Sequence, residues 1–244
     1  MIASAQLAAD SAKVRLLVQA GLCLLVGWAW GCRGLSEPGP EIQRQVRELS
    51  VPDGAVRRRA SVELEASGLF GNYVGAAVLR AGEEPAARLQ LLPNVGSKLL
   101  DLAVNGDRIS GYFPAAGVRV DHGRANGTPP RHVLVFLAAS LLEQVVPLEG
   151  RVLGVILEDE DGVVLRAEGA LEGVALRVRL DGQGRVAERR YRLRHVSWTE
   201  TVEGDRRAFR GRGFGWTMTD IEETGISDPG DALFQLELPP EDQP

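Results

Sequence analysis

The chain has 244 residues, of which 44% are hydrophobic and 25% are charged, and its formal net charge at pH 7 is −5. This composition is typical of a globular protein with room for a sizeable core, and it excludes an intrinsically disordered chain. The weak negative charge also argues against a nucleic-acid-binding protein, which would carry a basic surface.

The first 31 residues have the organisation of a signal peptide. Lys13 and Arg15 precede an apolar run over residues 16–31 that only Gln19 interrupts. The run is shorter than the roughly 20 residues that a membrane-spanning helix needs. The glycines and prolines that follow Cys32 cannot continue a helix. We therefore expect export, and the alternatives are an uncleaved anchor or plain secretion with an incidental cysteine.

The end of this segment resembles the bacterial lipobox. The sequence Ala29-Trp30-Gly31-Cys32 places a small residue directly before a cysteine. The resemblance implies that the signal is cut before Cys32 and that this cysteine is diacylated. Arg33 stands where an aspartate would direct retention in the inner membrane, which favours the outer membrane. Residues 1–31 are thus predicted as signal peptide, and residues 32–58 as the lipidated cysteine, a tether and a short helix.

The short helix is predicted from a start signal and an apolar face. Pro40 and Glu41 suit the first turn of a helix, and Ile42, Val46 and Leu49 recur at helical spacing.

From Ala60 onward, apolar residues recur at every second position, which is typical of half-buried strands. Asn105-Gly106, the acidic "EDEDG" and the later "DGQG" read as hairpin turns between such segments. About ten strands are predicted, over residues 60–66, 73–80, 88–92, 99–104, 109–113, 152–157, 163–167, 174–180, 185–196 and 233–240.

One segment breaks the alternation. In "TPPRHVLVFLAASLLEQVV", Thr128 is a capping residue and Pro129 suits the first helical position. The segment is apolar almost all round, so the helix should be buried against the sheet. The predicted fold is mainly β: an antiparallel barrel that either closes or leaves an apolar trough, with a buried helix on its concave face.

The sequence carries no pattern that indicates an enzyme. HExxH and GxSxG are absent, "NVGSK" lacks the first glycine of a phosphate loop, and Asp121-His122 has no accompanying nucleophile. The glycine-rich "RGRGFGW" is interpreted as a flexible loop or a bulged strand. We expect no catalytic residues, no metal, no cofactor and no nucleic-acid partner.

Three segments together resemble the LolA and LolB lipoprotein-localisation family: "ARLQLLPNVGSKLLDLAVNGD", "DRISGYFPAAGVRVDHG" and "DALFQLELPP". The first has the family's order of strand, Pro/Asn–apolar–Gly–Ser turn and second strand. The resemblance implies a half-open barrel over residues 59–240, followed by a tail over 241–244. It also implies that the concave face binds acyl chains of lipid or lipoprotein, and that Val95, in the protruding turn, contacts the membrane.

An apolar trough favours the binding of an acyl chain, because burial of the chain contributes about 0.8 kcal/mol per CH₂. The same residues would equally fill a closed core. The residues expected to line the trough are Val62, Leu64, Leu89, Leu91, Leu100, Leu102, Val104, Phe136, Leu137, Val174, Leu176 and Val178.

The alternative function is a non-enzymatic envelope scaffold held by its lipid. Arg177, Arg179, Arg190, Arg192 and Arg194 alternate with apolar residues, so they are predicted to line the wet face. There they would meet an acidic protein partner, or simply be solvated. A continuous cavity of roughly several hundred Å³ would favour the carrier, and a packed interior the scaffold.

Overall fold

The computed structural model describes residues 35–49, 54–66, 69–93, 98–106, 108–113, 118–123, 132–227 and 229–236. The chain divides into two compact units, Met1–Ser36 and Glu37–Pro244, and all described residues except Leu35 and Ser36 belong to the second. Cys32 and Val95 lie outside the described residues. Within the described part, no helix combines the length and the apolar character needed to cross a membrane.

The described strands form one antiparallel sheet of thirteen strands. Their order is β6-β5-β4-β3-β2-β1-β13-β12-β11-β10-β9-β8-β7, so β6 and β7 are its two edges and the barrel is not closed. The strands are Ala55–Ala66 (β1), Leu69–Arg80 (β2), Ala86–Leu92 (β3), Leu100–Asn105 (β4), Arg108–Phe113 (β5), Val118–Gly123 (β6), Val152–Asp159 (β7), Gly162–Glu168 (β8), Ala175–Leu180 (β9), Val186–Leu193 (β10), Val196–Glu203 (β11), Arg206–Gly211 (β12) and Phe214–Ile226 (β13).

The mainly β, antiparallel fold is confirmed, but the predicted number of about ten strands is too low. The additional strands include β12 and β13, which contain the segment interpreted as a loop or bulged strand. There β12 ends at Gly211 and pairs with Phe214 at the start of β13. Gly213 takes a φ of +74°, which a glycine adopts without strain, so the glycines make a tight hairpin turn.

The predicted strand over residues 233–240 is wrong at its start. Asp231–Phe234 form a 3₁₀-helix that follows Gly230 at a φ of +69°, and residues 237–240 lie outside the described part. Contacts with the outer face of the sheet hold this turn. Arg88 donates a hydrogen bond of 2.9 Å to the Leu233 carbonyl, and the Arg80 guanidinium lies 4.8 Å from the centre of the Phe234 ring.

Two helices accompany the sheet among the described residues. The first, α1, spans Pro40–Glu48 and buries Ile42 and Val46, as predicted. The second, α2, spans His132–Leu142 and buries every residue after His132. Thr128 and Pro129, its predicted start, lie outside the described residues. Because α2 is apolar on all sides, it can be stable only where protein surrounds it.

The sheet curves around α2. The helix contacts β3, β4 and β5 on one side and β10 and β11 on the other, although these strands stand far apart in the sheet order. Aromatic rings cross the interior. Phe136 of α2 stacks on Trp198 at 5.4 Å between ring centres, and Trp198 stacks on Phe214 at 5.1 Å. Phe113 of β5 meets Phe214 of β13 edge-on at 6.4 Å, so this part of the interior is filled.

Candidate functional site

The residues expected to line an apolar trough all lie in the hydrophobic core, each no more than 4% exposed. They are Val62, Leu64, Leu89, Leu91, Leu100, Leu102, Val104, Phe136, Leu137, Val174, Leu176 and Val178. An acyl chain could touch most of them only if α2 moved away from the sheet. As ligand-binding residues they therefore stay a prediction. Val178 differs from most of them, because it also lines a cavity.

This cavity, termed the arginine cavity, has a volume of about 430 Å³ and lies past the C-terminal end of α2. Its size falls within the range of small-molecule sites, roughly 300–1,000 Å³. One part of the wall is made of valine and leucine side chains and the other of guanidinium, carboxylate and amide groups. The lining residues are Glu48, Leu49, Arg58, Glu143, Gln144, Val146, Leu148, Val178, Val186, Arg189, Arg207 and Glu223.

The strands direct the charged side chains inward. Side chains alternate along a strand, so a residue two positions from a buried one shares its face. Arg189 therefore shares the inward face of β10 with the buried Tyr191, and Arg207 shares that of β12 with Phe209. Glu200, which adjoins the cavity, shares the inward face of β11 with Trp198. The sequence prediction did not single out these charges. The signal that could have found them is a charged residue at the buried phase of an otherwise apolar strand.

Glu200 is the centre of the cluster and is fully buried. The Tyr191 hydroxyl donates a hydrogen bond of 2.7 Å to its Oε2, and the Ser140 hydroxyl donates one of 3.3 Å. Arg189 Nη1 lies 3.4 Å from both carboxylate oxygens, and Arg207 Nη1 lies 3.3 Å from Oε1. A buried charge is costly unless it is paired and hydrogen-bonded, and these partners compensate Glu200.

Two further ion pairs complete the wall. Arg58 and Glu223 are directly opposite on β1 and β13, and Arg58 Nε donates to Glu223 Oε1 at 2.8 Å. Arg58 also donates to the side-chain oxygen of Gln144. Arg151 binds both oxygens of Glu143, at 2.9 and 2.8 Å. Each of these carboxylates therefore has its own guanidinium.

Two guanidinium groups of the cluster share one carboxylate. Arg189 and Arg207 share the single carboxylate of Glu200. Glu48 at the rim lies 3.9 Å from Arg44, whose nearer partner is Glu41 at 2.7 Å. Burial lowers the pKa of Arg58, and Arg207 lowers it further. For Arg189, burial opposes the charge but the attraction of Glu200 outweighs it, and the pKa is raised. Arginine stays charged in either case, and a guanidinium has five N–H donors. Arg189 and Arg207 each direct Nη1 at Glu200, so their other N–H groups can donate to an anionic ligand.

The tyrosine of the cluster acts as a donor. Burial, and secondly the negative charge of Glu200, raise the pKa of Tyr191 well above its usual value. Its hydroxyl therefore stays protonated and points at Glu200, not at the cavity. Among the residues that the structure describes, no group of His, Cys, Asp and Glu side chains is arranged to hold a metal ion. The arrangement can bind a ligand that is anionic at one end and apolar at the other.

The arginines predicted for the solvent-exposed face lie on the side of the sheet opposite the arginine cavity. Arg177, Arg179, Arg190, Arg192 and Arg194 are all exposed, as the alternation predicts.

No family model matches the chain, and no curated protein matches its sequence. Similar solved structures include a LolA superfamily protein from Nitrosomonas europaea, 12% identical, with 80% of this chain and 96% of that chain covered and a TM-score of 0.49. An outer membrane lipoprotein-sorting protein domain from Vibrio parahaemolyticus is 13% identical, with 79% and 95% covered and a TM-score of 0.47. A DUF1329 family protein from Desulfovibrio piger is 8% identical, with 80% and 95% covered and a TM-score of 0.47.

Solved structures similar to the chain thus include a protein of the LolA superfamily. The likeness is distant and concerns the course of the chain alone.

Proposed function

We propose that this protein is a lipoprotein of the bacterial outer membrane, anchored at the periplasmic face through Cys32, that binds the acyl chains of a lipid or lipoprotein and aids their transfer. The observation that carries the proposal is the arginine cavity, whose wall combines apolar side chains with two guanidinium groups that share one carboxylate. Acyl burial contributes about 0.8 kcal/mol per CH₂, and a hydrogen bond to a charged group about 1.5–3 kcal/mol. A lipid with an anionic head satisfies both parts of the wall.

The two parts assign different ends of such a ligand. Arg189 and Arg207 would hold the anionic head, and Val178 and Val186 would contact the first part of the acyl chain. Leu176 shares the inward face of β9 with Val178 and is equally buried. The predicted ligand-binding residues would thus be reached from the cavity by a chain that displaces α2.

Variants of the cavity test this binding. We expect the full chain to bind a fluorescent fatty acid and to carry an acyl lipid in native mass spectrometry. Val186→Trp should abolish binding, because the indole fills the cavity while the Glu200 contacts stay intact. Arg189→Gln should weaken binding about tenfold, the effect of roughly 1.4 kcal/mol.

Arg192→Gln is the matched control, because Arg192 lies on the same strand but points outward. It should bind as the unmodified chain does. The proposal is overturned if no acyl lipid binds the full chain, or if Val186→Trp binds it unchanged.

The anchor is tested separately by metabolic labelling with an alkyne palmitate. Cys32→Ala should lose the label and accumulate as the uncut precursor, because it lacks the sulfur to which the diacylglycerol is joined by a thioether. The two acyl chains of that diacylglycerol are what provides stable anchoring. Cys23→Ala should be labelled and processed normally, since Cys23 lies inside the predicted signal. Equal labelling of Cys32→Ala and the unmodified chain would refute the anchor and would leave the cavity result untouched.

The envelope scaffold remains the second candidate because the interior under α2 is filled. Residues 133–142 are all buried, and the aromatic rings link α2 to both halves of the sheet. A chain that binds no acyl lipid but retains a stoichiometric protein after cross-linking would be such a scaffold. A chain that binds acyl lipid and retains no protein partner would not be a scaffold.

A further inference from the structure

Arginines form a row across the outer face of the sheet, opposite the face that holds α2. Arg166 of β8 lies directly across from Arg177 of β9, and Arg177 from Arg190 of β10. The row continues through Thr199 of β11 to Arg210 of β12. These four arginines, termed the arginine row, are exposed. Neighbouring strands lie about 4.8 Å apart, so the row is roughly 19 Å long.

The row is not neutralised by the described part of the chain. Like charges directly opposite on neighbouring strands destabilise a sheet. Glu188 comes within 3.5 Å of Arg190, and no other ion pair of the row occurs among the described residues. The fold therefore carries a local repulsion that a negatively charged partner would relieve.

Two exposed leucines lie beside the row. Leu153 and Leu157, on the edge strand β7, are 48% and 42% exposed, and apart from Leu35 they are the exposed large apolar residues of the described part. Leu157 is directly opposite the half-buried Val164, which in turn neighbours Arg179. Among the described strands, β7 is hydrogen-bonded only to β8. An apolar edge thus adjoins a basic face.

Grooves flank the row and leave its donors accessible. A groove of about 320 Å³ is lined by three arginines, two carboxylates and three other residues: Arg177, Arg179, Arg190, Asp159, Glu188, Leu157, Gly162 and Val164. A second groove, of about 430 Å³, also contains Arg177 and Arg190, with Arg166, Arg192, His195 and Ser197. Guanidinium and hydroxyl donors are the groups that bind phosphate oxygens.

We propose that this outer face docks on a bilayer surface that contains anionic phospholipids, with the arginine row on the headgroup phosphates and Leu153 and Leu157 in the interfacial apolar zone. A basic face bordered by exposed leucines is the combination that binds an anionic membrane, where charge and apolar burial both contribute. An acidic protein segment would account for the arginines but not for the leucines beside them. The docking face does not include the arginine cavity, so the proposal of membrane docking is tested independently of acyl binding.

Arginine modification by phenylglyoxal, read by peptide mass spectrometry, tests the docking without interference from a lipid anchor. The full chain is reconstituted with vesicles of phosphatidylcholine alone or with added phosphatidylglycerol. We expect Arg177 and Arg190 to be modified several-fold more slowly with phosphatidylglycerol, and to regain their rate at high salt. Arg57 and Arg59, exposed on β1, should not change.

A charge-matched pair of variants gives the second readout. Arg177→Gln/Arg190→Gln should lower the salt-sensitive part of vesicle binding about 25-fold, since each arginine near an anionic surface contributes roughly fivefold. Arg57→Gln/Arg59→Gln should leave it unchanged.

Equal modification rates on the two kinds of vesicle would overturn the proposal. Equal protection by inorganic phosphate alone would assign the row to small anions. Protection without vesicles that grows with protein concentration would assign the face to self-association. Either of these last two results would also overturn the proposal of membrane docking.

Discussion

At the scale of single residues, Asp101 organises the outer face of β3 and β4. Its carboxylate accepts hydrogen bonds from Arg88 at 3.0 and 2.9 Å, from Gln90 at 2.9 Å and from Lys98 at 2.9 Å. Burial favours the neutral acid, but the hydrogen bonds from Arg88, Lys98 and Gln90 outweigh it and lower the pKa of Asp101. Arg88 also holds the Leu233 carbonyl, so this carboxylate indirectly fixes the C-terminal 3₁₀-helix.

The lowered pKa makes the contribution of Asp101 dependent on pH. The folded-state value lies below the unfolded value of about 3.9, so the stabilisation is fully present above about pH 4 and is lost as pH falls through the folded value. At pH 7, Asp101→Asn should lower the free energy of unfolding by about 1–3 kcal/mol, because two cationic donors lose a charged acceptor. Urea unfolding at pH 7 and at pH 3 measures the difference, which should shrink at the lower pH.

Asp205→Asn is the control, because Asp205 is exposed in a turn between β11 and β12 and should have little effect at either pH. A deficit of Asp101→Asn that stays constant down to pH 3 would contradict the account of this network.

At the scale of elements, the clearest strand signals are those with one wet and one buried face. In β9, Leu176 and Val178 are buried while Arg177 and Arg179 are exposed, and the alternation alone predicts this. The β12–β13 hairpin was missed because Gly211 and Gly213 break the pattern just where the turn needs them. Gly211 has a second reason to be glycine, since a Cβ at this position would collide with the Trp198 ring.

The candidate site was predictable only in part. Arg58 lies at the buried phase of a strand, so its inward direction can be derived from local sequence. Its partner cannot, because Glu223 is 165 residues further along the chain and meets Arg58 only through the register of β1 on β13. The same holds for Glu200, whose contact with Ser140 depends on how the sheet wraps around α2. Cavities arise from such long-range registers, which strand periodicity does not contain.

At the scale of the whole molecule, the curved sheet is joined across its interior by four rings. Phe113 belongs to the β6–β1 half of the sheet order, Trp198 to the β13–β7 half, and Phe214 and Phe136 connect them. The β1–β13 ladder joins the two halves along the sheet, and the ring contacts join them a second time across the interior. Trp198 is the central ring, because it stacks on both Phe136 and Phe214 and is only 1% exposed.

Replacement of this ring should therefore weaken the whole domain and not one hairpin. Trp198→Ala should lower the free energy of unfolding by about 3–5 kcal/mol, the usual effect of removing a buried aromatic side chain. Trp198→Phe keeps a ring between Phe136 and Phe214, so it should lower the free energy of unfolding by clearly less. Since the ring joins both halves, the far-UV circular dichroism and tyrosine fluorescence transitions in urea should coincide and move together to lower urea. Two separated transitions in Trp198→Ala, or equal losses for the alanine and phenylalanine variants, would show that the halves are stabilised independently of the stacked rings.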